Sequence, residues 1–139
     1  MTIQIPDTHR DLLEKPLPVS LATLNPNGQP QLSVVWCNLD GEHILINTAR
    51  GRLKEKNMAA RPIVAILAYD QNDPYRYVEI RGKVVEMTES GAVDHIDQLA
   101  NLYTGHEKYY GGFQDPARAA KETRVICRIE PTKIVTYGH

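Results

Sequence analysis

Short runs of strand-forming residues joined by tight turns constrain the fold of this chain more than any other feature. Residues 19–24, 31–38 and 42–47 have the composition of β-strands. Residues 25–28 (NPNG) and 39–41 (LDG) separate them, and each places a glycine where a turn can require positive φ. Connections this short can join only antiparallel neighbours, so the segment predicts a β-meander.

Further strand patterns extend the sheet beyond the meander. Residues 63–69 (IVAILAY) form an unbroken apolar run, which predicts a central strand buried on both faces. Residues 76–88 alternate between polar and apolar side chains, as in a half-buried antiparallel strand, and Gly82 among them indicates a bulge or bend. Residues 124–138 predict a last strand, interrupted at Pro131.

Helical patterns are few and short. Residues 7–14 predict one short helix, and the segment after the third strand predicts another that ends near residues 59–62. A helical repeat of apolar residues follows an N-cap at Ser90 and stops at Gly105. One more short helix is predicted to start at Asp115, because a proline follows it.

The length and charge of the chain limit its class. Residues 1–139 are enough for a single domain, and six or seven strands with a few flanking helices predict a mainly β, small antiparallel barrel. The net charge of −1 provides no general basic field for binding nucleic acid. No stretch resembles a signal peptide or a membrane span, so we expect no membrane association and a cytoplasmic protein.

The cysteines and histidines do not have the spacing of a metal site. Cys37 and Cys127 lie inside apolar segments, as small buried hydrophobes of a reducing compartment do, although spacing alone leaves one disulfide open. His43, His95 and His106 are scattered along the chain. We therefore expect no metal centre.

The segment 44–57 carries the strongest indication of function. Its apolar strand breaks at Asn47 and Thr48 and continues into a helix whose start is rich in cations. The basic residues alternate and are followed by an asparagine: Arg50, Arg52, Lys54, Lys56 and Asn57. Free backbone N–H groups and the helix dipole favour anions at such a junction, and arginine and lysine add direct contacts to phosphate. The other interpretation is an exposed, solvated helix face.

Aromatic side chains give weaker indications. Trp36 and Tyr77 lie in predicted strands and are either ordinary packing residues or walls of a slot for a flat ring. A second aromatic group follows the long helix and indicates either a protein interface, which we favour, or a mobile lid. Its members are Tyr103, His106, Tyr109, Tyr110 and Phe113.

Five segments occur in an order that has a parallel among known proteins. They are SLATLNPNGQPQLSVVWC, HILINTARGRLKEKNM, ARPIVAILAYD, YVEIRGKVVEM and IEPTKIVTYG. Their order resembles that of the pyridoxamine-phosphate-oxidase-like split β-barrel family, and within it the small members that use the deazaflavin coenzyme F420. The resemblance extends from Pro18 to Gly138.

The resemblance implies an FMN-binding type of split β-barrel that forms a homodimer, with the cofactor in a groove between the subunits. The second strand would line the ring system of the cofactor through Ser33, Val34, Val35 and Trp36. The phosphate would be held by Arg52, Lys54 and Asn57, with Lys56 and Thr48 close by. F420 also carries a lactate and an oligoglutamate tail, for which Arg50, Lys54 and Lys56 offer cations.

The resemblance also implies an oxidoreductase that passes a hydride from the cofactor to a small unsaturated organic acceptor. F420 is the favoured cofactor and FMN is the alternative, since both carry a phosphate. The chemistry belongs to the cofactor, so we nominate no catalytic residue, and the two alternatives for a proton donor are Tyr77 and a residue of the dimer partner. A non-catalytic flavin or F420 carrier or sensor is the alternative from another functional class.

Overall fold

The structure, a computed structural model, describes residues 3–139. These residues form a seven-stranded antiparallel sheet with short helices outside it, which confirms the predicted fold class. The strands are β1 (Val19–Leu24), β2 (Pro30–Val35), β3 (Cys37–Asp40), β4 (His43–Ala49), β5 (Ile63–Asp70), β6 (Asp73–Thr88) and β7 (Arg124–Tyr137). The helices are α1 (Asp11–Glu14), α2 (Leu53–Ala60), α3 (Ala92–Thr104) and a 3-10 helix at Pro116–Lys121.

The sheet curls because its two edge strands are consecutive in the chain. The strand order is β2-β1-β5-β6-β7-β4-β3, so β2 and β3 lie at opposite edges, yet only Trp36 separates them in sequence. Val35 pairs with β1, whereas Cys37 pairs with β4. The prediction of one unbroken strand over residues 31–38 was therefore wrong. The two halves bond to different neighbours, and the break at Trp36 joins the two edges of the sheet.

The long strands β6 and β7 bend at a bulge, as the glycine in β6 indicates. The pairing register shifts between Arg81 and Gly82, and Gly82 lies opposite Pro131. A Cβ atom at Gly82 would come within 2.7 Å of Ile129 Cγ2, so a larger residue would force the strands apart. Instead of interrupting β7, Pro131 lies within a continuous strand, because a bulge accommodates a residue that has no N–H group.

The outer face of β5 is open, contrary to the prediction that this strand is buried on both faces. Val64, Ile66 and Ala68 are buried, whereas Leu67 and Tyr69 are 38% and 45% exposed. The buried residues pack in the core of the curled sheet. The unbroken apolar run therefore supplies two surfaces, and the described residues cover one of them.

The helices are short and pack against the sheet. Leu12 and Leu13 of α1 are buried in the core. Helix α3 lies against β4 and β7, and its N-cap is Gly91 rather than Ser90. It ends at Gly105, where a positive φ of 81° closes the helix as predicted. Within the described residues, no helix combines the length and apolar character needed to cross a membrane.

Both cysteines are packing residues. Cys37 and Cys127 are fully buried and free, which confirms the interpretation as small hydrophobes rather than a disulfide. Burial raises the pKa of each thiol to about 12, so both stay protonated at neutral pH.

Candidate anion-binding site

A cavity of about 190 Å³ lies where the end of β4, the start of α2 and the start of β7 meet. We call it the cationic pocket. Its polar lining consists of Asn47, Thr48, Arg52, Lys54 and Arg124. Its other wall includes Val34, Val35, Trp36, Tyr109 and Phe113.

The turn between β4 and α2 brings two cations to this pocket. Gly51 takes a positive φ of 90°, Arg52 is the N-cap, and the helix begins at Leu53. The buried carboxylate of Glu55 holds this turn, because its Oε1 accepts a hydrogen bond from the Gly51 N–H at 2.7 Å. Arg52 and Lys54 therefore enter the pocket near the first N–H groups of α2, where the helix dipole favours an anion.

Positive charge exceeds negative charge around the pocket. The one carboxylate that pairs with its lining arginines is Glu122, at 2.8 Å from Arg52 and 3.4 Å from Arg124, among the described residues. Burial lowers the pKa of Lys54, and the charges of Arg52 and Arg124 lower it further. Burial by itself would raise the pKa of Glu122, but the hydrogen bond from Tyr110 and the ion pair with Arg52 bring it to about 2. Three cations and one ionised carboxylate give the pocket a net positive charge, which a bound anion would neutralise.

The hydroxyl group of Thr48 is a second indication of a ligand. The residue is 1% exposed, and its Oγ1 has no hydrogen-bond partner within residues 3–139. Burying a hydroxyl without a partner costs about 1–3 kcal/mol. Because Thr48 lines the pocket, an anion oxygen could accept a hydrogen bond from it and remove this cost. A hydroxyl beside arginine and lysine is the donor set that phosphate prefers.

An aromatic wall flanks the cations. Trp36 stacks on Tyr103 with ring centroids 5.2 Å apart, and Phe113 meets Trp36 edge-on at 5.1 Å. The guanidinium of Arg124 lies 5.0 Å from the ring centroid of Tyr109. The aromatic group that the sequence favoured as an interface thus packs within its own chain, next to the pocket. Phe113 remains 45% exposed at the rim.

Three of the predicted phosphate-site residues do not line the pocket. Arg50 pairs with Glu89 at 3.0 Å and with Glu55 at 3.3 Å. Asn57 is fully buried and donates to Thr23 Oγ1, while Lys56 is exposed to solvent. Lys56 differs from Lys54 because residues two apart on a helix point about 200° away from each other, whereas Arg50 and Asn57 are held by partners outside the pocket. Their role in cofactor binding stays a prediction that this geometry does not support.

The predicted ring-site residues divide in the same way. Val34, Val35 and Trp36 line the pocket. Ser33 pairs with the fully buried Leu21, and its Oγ is buried without a hydrogen-bond partner among the described residues. Tyr77 stacks on Tyr137 at 5.7 Å and lies at a different cavity. The structure therefore does not bring Tyr77 to the cationic pocket.

Arg124 is the residue of the candidate site that the sequence did not reveal. It lies beside Ala49 only because β4 pairs with β7. That pairing joins distant parts of the chain, so no local sequence pattern predicts it. The sequence held one weak signal, an arginine at the start of an apolar strand, because an arginine that becomes buried there has to be paired.

A second, larger cavity of about 730 Å³ lies on the outer face of β1, β2, β5 and β6. Ser20 and Ala22 of β1 contribute small side chains between bulkier ones on β2 and β5. We call its exposed apolar residues the open apolar face: Leu32 (71% exposed), Leu67 (38%), Tyr69 (45%) and Tyr75 (75%). The two cavities adjoin through β2, since Leu32 lines this one and Val34 lines the cationic pocket.

The curled antiparallel sheet with a polar pocket at one end defines a split β-barrel protein. The family model described as pyridoxamine 5'-phosphate oxidase matches residues 5–138. The chain therefore belongs to the pyridoxamine 5'-phosphate oxidase family of split-barrel proteins.

Solved structures agree with this assignment. One named F420 reductase is 34% identical, with a TM-score of 0.81 over 94% of this chain and 98% of its own. A conserved hypothetical protein from Mycobacterium tuberculosis is 21% identical, with a TM-score of 0.72 over 99% of this chain and 87% of its own. The second likeness shows the fold alone. None of the curated proteins compared with this chain matches it significantly.

Proposed function

We propose that this chain is an oxidoreductase that binds a flavin-type cofactor, with F420 favoured over FMN. The observation that carries the proposal is the convergence of Arg52, Lys54 and Arg124 on one pocket that also contains the unpaired hydroxyl of Thr48. The likeness to the structure named F420 reductase supports the deazaflavin. When bound, the cofactor supplies the hydride chemistry, and the protein supplies position and charge.

The lining of the pocket fits the phosphate end of such a cofactor. A volume of about 190 Å³ suits a phosphate group and its nearest atoms, whereas sites for whole drug-sized ligands occupy roughly 300–1,000 Å³. The ring system therefore needs a surface outside the pocket. Val34 and Val35 of β2 offer an apolar one directly beside it, as the resemblance implies.

In this proposal, a second copy of the chain completes the cofactor site beside Val34 and Val35. The open apolar face exposes large side chains around a cavity of about 730 Å³. Contiguous exposed apolar surface of this kind marks interaction sites. In our proposal, pairing of two copies covers this face and encloses the groove along β2, so that one subunit alone holds an incomplete site.

The side chains then have separate tasks. Arg52, Lys54 and Arg124 bind and orient the phosphate, and Thr48 donates a hydrogen bond to it. Trp36 and Phe113 limit the access of water to the cations. A small unsaturated organic molecule would accept the hydride. We assign no acid or base, because positioning and electrostatics suffice for this type of transfer.

Parallel titrations with F420 and FMN test the proposal, with quenching of cofactor fluorescence as the readout. We expect tighter binding of F420, followed by turnover when the reduced cofactor meets a quinone or an enone. Preference for FMN would make the chain a flavoprotein of the same fold. Tight F420 binding without turnover of any acceptor would make it a carrier or sensor, and absence of binding would reject a cofactor function.

A further inference from the structure

A chain of hydrogen bonds runs from the back of the cationic pocket into the protein. Asn47 Oδ1 accepts from Arg124 Nε at 2.9 Å. Asn47 Nδ2 lies 3.1 Å from His95 Nδ1, and His95 Nε2 lies 2.8 Å from Asn38 Oδ1. The chain joins β7, β4, α3 and β3, and both Arg124 and His95 are buried, at 4% and 5% exposure.

The chemistry of arginine fixes every donor and acceptor along this chain. A guanidinium has only donors, so Asn47 must present its oxygen to Arg124. The amide NH₂ of Asn47 then faces Ala92 O at 2.8 Å and His95 Nδ1. His95 Nδ1 must therefore accept, which leaves the imidazole proton on Nε2, where it donates to Asn38.

The same pattern of hydrogen bonds keeps His95 uncharged. A proton on Nδ1 would point at the NH₂ group of Asn47, and both are donors. Burial lowers the pKa of His95 to about 4, and the nearby charge of Arg124 acts in the same direction. His95 therefore adds no charge to the pocket and supports Arg124 as a neutral group.

Arg124 is held from more than one side before any ligand arrives. Asn47 binds Nε, Glu122 Oε1 lies 3.4 Å from Nη1, and the Tyr109 ring lies 5.0 Å from the guanidinium carbon. A long side chain fixed in this way does not have to lose rotamer freedom when it binds an anion. Without the acceptor on His95, the Asn47 amide could turn, and Arg124 would no longer be held in place before the anion binds.

We propose that Asn47 and His95 are positioning residues that hold the Arg124 guanidinium in the cationic pocket, with His95 as the neutral tautomer protonated at Nε2. The inference rests on the anion-binding role of the pocket that the proposed function assumes. It goes beyond that function in naming the residues that hold a pocket cation from behind.

The first test is the tautomer of His95. Long-range ¹H–¹⁵N correlation spectra of the uniformly labelled, unmodified protein at pH 7 should contain a histidine with the Nε2–H pattern that disappears in His95→Asn. If the signal that disappears in His95→Asn has the Nδ1–H pattern, or the pattern of an imidazolium, the proposed tautomer of His95 is wrong. This measurement requires neither a cofactor nor turnover.

The second test compares two replacements of His95 by calorimetric titration with inorganic pyrophosphate. His95→Leu removes the acceptor for Asn47 and should weaken binding about tenfold, the lower end of what supporting residues contribute at other sites. His95→Asn offers an amide oxygen at the position of Nδ1 and should stay within about threefold of the unmodified protein. Lys15→Ala, at the exposed end of α1, serves as the charge control.

The outcomes separate this inference from the proposed function. Unchanged affinity in His95→Leu, or equal losses in both His95 variants, would overturn the positioning role. If His95→Leu does not fold, Asn38→Ala tests the outer end of the chain, and a loss of about twofold to threefold is expected against none if the role is absent. No pyrophosphate binding by the unmodified protein would overturn this inference, because it requires an anion in the pocket, and the cofactor titrations would still decide the proposed function. Pyrophosphate binding without F420 or FMN binding would overturn the proposed function alone.

Discussion

The cationic pocket and the open apolar face differ in how complete they are within one chain. In the pocket, arginine, carboxylate and amide groups are already paired, and Arg124 is 4% exposed. On the open apolar face, Leu32 and Tyr75 are 71% and 75% exposed. One chain thus completes the proposed anion pocket by itself, whereas it leaves exposed the face that, in our proposal, a second copy covers. Affinity for phosphate should depend on one chain, whereas the groove along β2 should depend on two.

The largest effect should come from a charge on the open apolar face. Leu67→Asp puts a carboxylate in the middle of the open apolar face and should weaken self-association by about 3–5 kcal/mol, because the charge would be buried without a partner. Sedimentation velocity measures the change. Val93→Asp is the matched control, since Val93 is exposed on α3, away from this face. Equal effects of the two changes would place the interface elsewhere.

A smaller loss should follow from removing one pocket cation. Lys54→Ala should weaken binding of the cofactor by about 1.5–3 kcal/mol, the size of a charge-assisted hydrogen bond, without changing self-association. Lys56→Ala, on another face of the same helix, should have a much smaller effect. Fluorescence titration measures both. Similar losses in the two variants would show that the whole basic segment attracts the cofactor through its general charge, which would contradict binding in the cationic pocket.

The histidine behind the pocket, His95, should make the free energy of unfolding depend on pH. The pKa of His95 is lowered from 6.5 to about 4, mainly by burial, so the unfolded chain binds its proton more readily than the folded chain does. The free energy of unfolding should therefore be highest above pH 6.5 and fall by roughly 2 kcal/mol as the pH approaches 4.5. Urea unfolding at pH 7 and pH 4.5 measures the fall.

His95→Asn should remove most of that pH dependence, because asparagine does not titrate. Leu67→Asp should retain it, since the open apolar face takes no part in the histidine network. The pKa of Glu122 is lowered from 4.5 to about 2, so this carboxylate adds to the loss mainly below pH 4.5. An identical pH dependence in His95→Asn and the unmodified protein would contradict the assignment to His95.

The smallest expected effect concerns the unpaired hydroxyl of the pocket. Thr48→Val keeps the shape of the side chain and removes Oγ1, which has no partner among the described residues. The free chain should become slightly more stable, by about 1 kcal/mol or less, while cofactor affinity falls by a similar amount. Thermal unfolding and titration give the two numbers. A loss of stability with no loss of affinity would mean that Thr48 serves the fold and not the ligand.

The local features of the fold could be predicted from the sequence, and the non-local ones could not. Turns rich in glycine and the bulge at Gly82 depend on neighbouring residues, and both are present. The break at Trp36 depends on which distant strand each half pairs with, so an apolar run gives no sign of it. For the same reason, an apolar run cannot show that one face of β5 is open.

The candidate site divides along the same line. Arg52 and Lys54 line the pocket, as the basic segment indicates. Lys56 does not, because it points from another face of α2, and Arg50 does not, because it lies before the helix and pairs with Glu55 and Glu89. Arg124 reaches the pocket through the pairing of β7 with β4, which no spacing in the sequence reveals.

The single-residue break between β2 and β3 gives the protein a built-in optical reporter. Trp36 is the one tryptophan of the chain, and it lies at the seam where the two sheet edges meet and also in the wall of the cationic pocket. The next amide, the N–H of Cys37, donates to Tyr103 Oη at 3.1 Å, and the Tyr103 ring stacks on the indole. The intrinsic emission of the unlabelled protein therefore reports on the integrity of the seam and on occupancy of the pocket through the same indole ring.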